Sequence, residues 1–564
     1  MSQSLRKPVP FWMIWANPIV RRYARSRLRP VGLGVWLLLA VLIAGFIFFV
    51  SREGAMHRGN MSIEDAARIP LIPLLVLQGI ILFVLATGQV AGAMTAEADE
   101  GVLDYQRLAP MTPLAKVTGY LFGLPIREWV MFVATLPFSI FSMWQGEVPL
   151  SICLQLYAVF VVAGTLYHLT GLLAGTVMKN RRWAFLSSMG LVFVLYTLVP
   201  QAAKFGLVYF KYVTIMPVVE ECFPYLINRR AGALVETYQS LVPTARFFGL
   251  NLPQTIFTLL SQGILILAMV TMLWRRWRRS ESHLLGKIGA VGLFAWIQLV
   301  LLGNSLPLID TGELFPSREL GRRFGRIAQI NPANWTPDPA EGLVMVGLFG
   351  LVSLLMMWWM TLIITPNHEC QMRGWRRARK VDRKHLPLTS DAATGVPWVM
   401  LMIGMAAFAW WTFARILLES RWFVGYEPTS VAPVAMVVVF ITAGLGFSAL
   451  LEGKGKRAVG MTTIFAGVVP IFVGTVLAVS SDQLATASIW LMGICPLSWP
   501  VYGAVVSIPN DDIPREIVKA IPNSFWFWQL VGLLVVGWLL VGLWKARRAV
   551  ARFTIRQVET KEST

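Results

Sequence analysis

The chain has 564 residues, a formal net charge of +20 and a mean hydropathy of +0.61, with 56% hydrophobic and only 14% charged residues. A soluble protein of this length cannot bury so much apolar surface, so the composition excludes a soluble fold and predicts an all-α polytopic membrane protein. The basic excess is typical of cytoplasmic loops that fix topology. No zinc-finger spacing or nucleic-acid-binding motif is present, so nucleic acid is not expected as a partner.

The first predicted element precedes the membrane. The stretch "FWMIWANPIVRRYARSRLRP", residues 11–30, combines apolar and aromatic residues with a run of arginines. This pattern predicts an amphipathic helix in the cytoplasmic interface, with its aromatics in lipid and its arginines toward anionic headgroups. A basic segment that only sets topology is the alternative.

Twelve apolar stretches follow, each long enough to cross a bilayer. Lys and Arg are concentrated in the N-terminal segment and in alternate loops, which predicts that both termini are cytoplasmic. The loop 309–340 is an exception, because it falls on the external side and yet carries Arg318, Arg322, Arg323 and Arg326. The predicted spans are approximately 31–50, 69–92, 118–143, 151–176, 184–203, 252–274, 288–308, 341–365, 396–417, 430–451, 459–480 and 524–544.

The spans fall into two groups of six with the same order of loops, each ending in a long external segment. "RLAPMTP" at 107–113 is echoed by "KHLPLTS" at 384–390, each shortly before the third span of its half. The pattern predicts a tandem 6+6 pseudo-repeat, an architecture that recurs in transporters. The predicted segments are a cytoplasmic N-terminus at 1–30, six-span units at 31–280 and 281–545, and a cytoplasmic tail at 546–564.

One predicted cytoplasmic loop, between spans 2 and 3, is acidic. The stretch "EADEGVLDYQRLAPMTP" contains four carboxylates: Glu97, Asp99, Glu100 and Asp104. The spacing of Glu97, Glu100, Asp104 and Arg107 would place them along one face of a continuous helix. Pro110 and Pro113 would end this helix. This predicts a short charged helix that projects from the membrane. A solvated loop and a carboxylate metal site are the alternatives.

The longer segment "EADEGVLDYQRLAPMTPLAKVTGY", residues 97–120, resembles the cytoplasmic signature of ABC-2 type (type V) ABC transporter permeases. In that family an acidic, glycine-containing segment is followed by an apolar-acidic pair, by proline with Thr or Ser, and by a Gly–Lys pair that enters the third helix. Ala98, Val102 and Tyr120 depart from this pattern. The matching positions are Glu97, Asp99, Gly101, Leu103, Asp104, Pro110, Thr112 and Gly119.

The resemblance covers the first six spans, and spans 7–12 resemble a second, divergent copy. It implies an export pathway between two six-helix units in a bacterial plasma membrane. It also implies that the acidic segment couples to cytosolic ABC ATPase subunits, in two copies, which would bind ATP and Mg²⁺. The implied coupling residues are Glu97, Asp99, Glu100, Gly101, Leu103, Asp104 and Pro110, with the four carboxylates pairing with basic residues of the ATPase.

The absence of a nucleotide-binding motif supports a separate ATPase. The chain has no G-x-x-x-x-G-K-[ST] phosphate loop, so it is expected neither to be an enzyme nor to bind a cofactor. Its four cysteines are scattered without a CxxC pair, a pattern that indicates neither a metal site nor a disulfide framework.

Two further features have alternative interpretations. The stretch "MRGWRRARKVDRKHLPLTS", 372–390, is the counterpart of the acidic loop but is basic. Either the two halves contact two ATPase subunits unequally, or this loop has diverged and now only fixes the topology.

His168 lies inside span 4. An ionisable group at such a position is a functional candidate, although a neutral histidine packed between helices fits equally.

The topology and the resemblance together predict the permease subunit of an ABC exporter that works by alternating access. An ion-coupled secondary transporter and a non-transporting membrane scaffold are the alternatives, and the carrier would need polar groups at mid-membrane. Membrane lipids are expected partners. No motif specifies the transported substrate.

Overall fold

The protein is helical throughout most of the chain that the computed structural model describes, which is residues 10–59, 61–227, 244–279, 281–311, 339–381, 383, 385–423, 426–508 and 515–562. Within these residues, twelve helical stretches are long and apolar enough to cross a membrane. The protein is therefore an all-α polytopic membrane protein, and the predicted fold class is confirmed. The four arginines of the predicted external loop 309–340 lie outside the described residues, as does the segment 228–243.

The chain divides by its internal contacts into two compact units. Unit 1 is Met1–Ala202, Tyr209–Ala245 and Leu250–Ser280. Unit 2 is Ala203–Val208, Arg246–Gly249 and Glu281–Thr564. The division shows two packed bodies and not their ancestry, so the duplication of one six-span unit stays a prediction.

The first half of the chain contains thirteen described α-helices and a hairpin of strands β1 (Thr244–Phe247) and β2 (Leu250–Pro253). The helices are α1 (Pro18–Arg27), α2 (Pro30–Gly59), α3 (Ile63–Arg68), α4 (Leu71–Gly79), α5 (Ala86–Asp99), α6 (Val102–Leu108), α7 (Pro113–Gly123), α8 (Ile126–Gln145), α9 (Leu150–Val177), α10 (Arg181–Thr197), α11 (Val199–Lys204), α12 (Met216–Leu226) and α13 (Gln254–Arg278). Short 3₁₀ turns lie at Ile14–Ala16 and Val208–Val213.

The second half contains eleven described α-helices. They are α14 (Lys287–Ser305), α15 (Pro339–Ile364), α16 (His368–Lys380), α17 (Val396–Leu418), α18 (Ala432–Phe440), α19 (Gly446–Lys454), α20 (Lys456–Thr462), α21 (Val469–Ser480), α22 (Ala485–Met492), α23 (Trp499–Ser507) and α24 (Arg515–Glu562). Its 3₁₀ turns lie at Leu306–Thr311, Arg421–Phe423 and Asp482–Leu484. Spans 1 to 6 are α2, α3–α5, α8, α9, α10–α11 and α13; spans 7 to 12 are α14, α15, α17, α18–α19, α20–α21 and α24.

Among the described residues, three spans contain a π-helical turn, in which the backbone winds more widely than in an α-helix. Ile80–Leu85 joins α4 to α5 in span 2, Ile441–Leu445 joins α18 to α19, and Thr463–Val468 joins α20 to α21. Such turns add a residue to the helix and free backbone carbonyls from the α-helical pattern, and they occur frequently at functional sites.

Unit 1 is built around span 2. Its half α5 packs against α9 and α10, α9 packs against α13, and α2 packs against α8. The contact between α5 and α9 is close because glycines face it: a Cβ atom added to Gly171 would lie 2.7 Å from the Thr87 carbonyl oxygen, and one added to Gly175 would lie 2.8 Å from that of Ala91. The sequence "GLLAG" is the small-xxx-small pattern that lets membrane helices approach at backbone distance.

Unit 2 has its own buried core. Helix α15 packs against α17 and against the short helix α23, which also contacts α18. Trp410 of α17 is fully buried, and its indole nitrogen donates a 2.7 Å hydrogen bond to the Val346 carbonyl. Because tryptophan donates through a single N–H group, this bond satisfies the buried side chain.

Candidate functional site

The predicted continuous helix through the acidic stretch is interrupted at Gly101. Helix α5 ends at Asp99, Gly101 adopts φ 71°, and α6 begins at Val102. The prediction that Glu97, Glu100 and Asp104 share one helical face is therefore wrong. A left-handed glycine commonly ends a helix because it has no Cβ to clash, so the "EG" dipeptide was the available signal.

Glu97 is buried rather than displayed, with its side chain 8% exposed. Its Oε2 atom accepts a 2.5 Å hydrogen bond from the Tyr120 hydroxyl. Its Oε1 atom accepts a short hydrogen bond from the Tyr23 hydroxyl and pairs with Arg22 Nη2 at 2.7 Å. The Tyr120 ring stacks on Trp277, with the ring centroids 5.3 Å apart. We call these five residues the Glu97 junction; it joins α1, α5, α7 and α13.

The side chains around Glu97 provide the hydrogen-bond donors that a buried carboxylate requires. A buried carboxylate needs donors for its oxygens, and two hydroxyls and a guanidinium supply them. Burial, and then the Glu97 carboxylate, raise the pKa of Tyr23 well above its usual range. Tyr23 therefore stays protonated and remains a donor at physiological pH.

Helix α1 lies on protein along the side that carries Ile19, Val20 and Tyr23, which are buried. Two glycines of α7 make room for it: a Cβ added to Gly119 would lie 2.9 Å from Ile19 Cβ, and one added to Gly123 would lie 2.9 Å from the Tyr23 ring. The apolar side of α1 therefore faces protein at Ile19 and Val20. The aromatic residues before the helix, Trp12 and Trp15, are 66% and 77% exposed.

Asn17 fixes the start of α1. Its Oδ1 atom accepts a 2.9 Å hydrogen bond from the Ile19 amide, which caps the helix. Its Nδ2 atom donates a 2.6 Å hydrogen bond to the Ala115 carbonyl of α7. One side chain thus starts α1 and attaches it to the helix that leads into span 3.

The other predicted coupling residues, in and around helix α6, differ in their exposure. Leu103 is buried, whereas Asp99, Glu100, Gly101, Asp104 and Pro110 are exposed. Two apolar residues that the sequence did not single out, Tyr105 and Leu108, are 74% and 83% exposed. They lie three positions apart in the helix, and residues at that spacing share a face.

The end of α6 is attached to α7. Lys116 Nζ donates a 3.1 Å hydrogen bond to the Arg107 carbonyl, and Arg107 pairs with Asp104. Helix α6 ends at Leu108, before Pro110, as predicted. Pro113 does not end that helix; it is the first residue of α7, where its missing N–H group is harmless, and Thr112 caps α7.

We expect Gly101→Ala to destabilise unit 1 by about 1 kcal/mol, because an L-residue disfavours left-handed backbone by that amount. A Cβ at this position meets no atom within 4 Å, so the effect is one of backbone conformation. Gly101→Asn should cost less, since asparagine tolerates this conformation. Thermal unfolding in detergent measures both. Gly54 in α2 has similar open space without a positive φ. Gly54→Ala should therefore cause no loss and should stabilise slightly, because alanine favours a helix more than glycine does. Equal losses for all three variants would contradict the explanation.

His168 is a packed histidine in this structure. It is 1% exposed, and its Nε2 atom donates a 2.9 Å hydrogen bond to the Leu82 carbonyl, within the π-helical turn of span 2. Its ring contacts Trp129 edge to face, with the ring centroids 5.8 Å apart. The geometry gives the histidine a defined structural role, which is to bind a carbonyl of the widened turn.

A polar cluster that the sequence did not indicate lies inside unit 1. Gln78 of α4 donates to Thr135 (3.2 Å) and Ser139 (2.9 Å) of α8 and accepts a 2.9 Å hydrogen bond from Tyr157 of α9. Each member is an uncharged residue inside an apolar span, so hydropathy alone gives no signal for their proximity. The cluster links three membrane helices through hydrogen bonds.

The corresponding region of unit 2 is basic. Arg373 and Arg377 of α16 both pair with Glu281, and Arg376, Arg377 and Lys380 are exposed. A buried carboxylate occurs here too, but on α19: Glu452 accepts hydrogen bonds from Thr394 Oγ1 (3.2 Å) and the Gly395 amide (3.3 Å) and pairs with Arg547.

Lys287, at the start of α14, completes this arrangement. Its buried Nζ donates to the carbonyls of Ala393 (2.7 Å) and Thr394 (3.0 Å). The segment before α17 is therefore held from two sides by charged groups. Sequence reasoning missed Glu452 because it stands in a basic loop, next to lysines that were interpreted as topology determinants.

The described residues contain no group of three or more His, Cys, Asp or Glu side chains placed to hold a metal ion. Comparisons of the chain with protein-family models, with curated proteins and with solved structures found no match.

Proposed function

We propose that this protein is the transmembrane permease subunit of an ATP-driven exporter of the ABC-2 type, located in a bacterial plasma membrane. ATP would be hydrolysed by separate cytosolic subunits, and their motion would drive alternating access in the permease. The observation that carries the proposal is the segment from Asp99 to Leu108. It displays three exposed carboxylates and, on helix α6, two large exposed apolar side chains, while Leu103 on the other side of the helix is buried in the bundle.

The surface of α6 suits a protein partner. Tyr105 and Leu108 are mostly exposed, and Glu100 and Asp104 are exposed acids on the same short segment. Large apolar side chains next to charges are typical of the centre and rim of an interface. The partner we propose is an ATPase surface with an apolar groove flanked by Lys or Arg.

The contacts of α6 would transmit a movement of this helix to the membrane spans. The turn at Gly101 connects it directly to α5, and Lys116 connects its end to α7. The Glu97 junction in turn connects α5 and α7 to α1. A displacement of α6 would therefore move the cytoplasmic end of span 2, the entry to span 3 and the interfacial helix together.

The two units differ in charge on the predicted cytoplasmic side, and we propose that they contact two ATPase subunits unequally. Unit 1 offers the exposed acids Asp99, Glu100 and Asp104 at and just before α6, whereas unit 2 offers the exposed arginines of α16. Opposite charges on the two contacts favour different partners or different affinities, because complementary potentials determine specificity and association rate.

Reversing two charges tests this proposal. We expect Glu100→Lys with Asp104→Lys to lower association with the ATPase, and the stimulation of its activity in reconstituted membranes, by about tenfold or more, because like charges across an interface are strongly unfavourable. The matched control is Arg376→Glu with Arg377→Glu, which reverses two charges on unit 2 and should have a smaller effect.

The ATPase is first to be identified by native purification of the protein with its bound subunits and mass spectrometry. Equal effects of the acidic and basic double variants would remove the proposed asymmetry. Purification of the intact protein from its own membranes without any ATPase, even after cross-linking, would contradict the exporter proposal.

A further inference from the structure

A cavity of 510 Å³ lies in unit 1 between the ends of spans 2 and 5. The cavity lies beside a close contact between α5 and α10. A Cβ added to Gly88 of α5 would lie 2.9 Å from Met189 Cγ and 3.0 Å from the Phe185 ring of α10. The cavity is lined by Gln89, Gly92, Arg181, Arg182, Phe185 and Leu186.

The lining combines cations with apolar walls. Arg181 and Arg182 are exposed, and no ion pair involves either of them among the described residues. Asn180 already caps α10 by accepting from the Arg182 amide at 3.0 Å, so the positive charge of the cavity comes from the guanidinium groups and not from the helix end.

More positive charge lies nearby than one carboxylate can balance. Burial lowers the pKa of Arg27, at the end of α1; the guanidinium groups of Arg127 and Arg181 lower it further, and the Glu128 carboxylate opposes this shift. Glu128 itself pairs with Arg127 at 2.6 Å. Because Arg181 and Arg182 are exposed and have no ion pair among the described residues, both are available to an external anion.

The depth of the cavity indicates a lipid. Gly92 lies seven residues before the end of α5, about 10 Å along the helix, which is close to the headgroup region. Trp183, beside the two arginines, is 65% exposed, as is typical of residues at the membrane–water interface, and Leu186 is 56% exposed on the membrane side of them. Basic pockets between membrane helices on the cytoplasmic side bind anionic headgroups.

We propose that this cavity binds an anionic phospholipid, with Arg181 and Arg182 on its phosphate, Gln89 donating to headgroup oxygens, and Phe185 and Leu186 along the first part of an acyl chain. The site belongs to unit 1 alone, and it does not depend on the exporter function proposed above.

Lipid titration of the full-length protein tests the site. Delipidated protein in detergent is titrated with short-chain phosphatidylglycerol and, separately, phosphatidylcholine, and bound lipid is counted by native mass spectrometry. We expect a preference for phosphatidylglycerol that Arg181→Gln with Arg182→Gln reduces by roughly tenfold or more, since two cations are lost. Lys454→Gln with Arg457→Gln removes two exposed cations from unit 2 and should leave this binding unchanged.

A second variant and a second probe separate a lipid from a free anion. Leu186→Ser should weaken phosphatidylglycerol binding while leaving the arginines intact. Inorganic phosphate should compete only weakly. Equal losses from the two basic double variants, no preference between the two lipids, no effect of Leu186→Ser, or competition by phosphate at the concentration of the lipid would each overturn the proposal.

Discussion

Gly175→Leu is expected to destabilise unit 1 by about 3 kcal/mol or more, the largest effect that we expect of a single substitution on stability. A Cβ at this position would lie 2.5 Å from Met94 Cβ and 2.8 Å from the Ala91 carbonyl oxygen. Because one of these atoms belongs to the backbone of α5, relief requires that α5 and α9 separate. Unfolding in detergent, followed by tryptophan fluorescence, measures the loss.

The matched control is Gly190→Leu. Gly190 lies on the membrane helix α10, and a Cβ there meets no atom within 4 Å. We expect this variant to unfold at or slightly above the wild-type midpoint, because it adds the same side chain without a clash and leucine favours a helix more than glycine does. Comparable losses at the two positions would mean that leucine is harmful for a reason other than the approach of α9 to α5.

Glu97→Ala is expected to release α1 from the bundle and to abolish most of the coupling to the proposed ATPase. The substitution leaves the Tyr23 and Tyr120 hydroxyls without their acceptor, at about 1–3 kcal/mol for each buried donor left unsatisfied. Hydrogen exchange of residues 18–27 should accelerate markedly, and ATPase stimulation should fall even though Glu97 is buried and cannot contact a partner.

Glu100→Ala separates the two roles. Glu100 is exposed three residues away, so this variant should leave the exchange of α1 unchanged and weaken only the association with the ATPase. If Glu97→Ala leaves the exchange of α1 at the wild-type rate, the Glu97 junction does not fasten α1 to α5. If both variants alter exchange equally, the distinction between a buried and a displayed acid is wrong.

Hydropathy and length predict the membrane spans well, because each span must be apolar over a fixed thickness. The predicted span 151–176, for example, is α9, Leu150–Val177. The same reasoning says nothing about which helices touch. The "GLLAG" pattern at Gly171 and Gly175 was readable as a site of close approach, but its partner, the Thr87–Met94 stretch of α5, follows only from the fold.

The candidate site was predictable in position but not in geometry. The prediction continued one helix through Gly101 and so placed Glu97 on an exposed face. The backbone is left-handed at that glycine, and the helix ends before it. The partners of Glu97 stand far away in the sequence: Tyr23 is 74 positions before it and Tyr120 is 23 positions after it. No local pattern joins residues at such separations, and the charge of Glu97 therefore suggested exposure.

The π-helical turn of span 2 has a consequence for the angular phase of the helix. A residue added to a turn rotates everything beyond it by about 100° relative to an uninterrupted α-helix. Ile80–Leu85 separates Gln78, which faces the polar cluster, from Glu97, which faces the junction. The side of span 2 on which Glu97 lies thus depends on the winding of this turn, and the Leu82 carbonyl within it accepts a hydrogen bond from His168 of span 4. Rewinding this turn into α-helical form would rotate α5 about its axis and carry the Glu97 carboxylate away from the Tyr23 and Tyr120 hydroxyls.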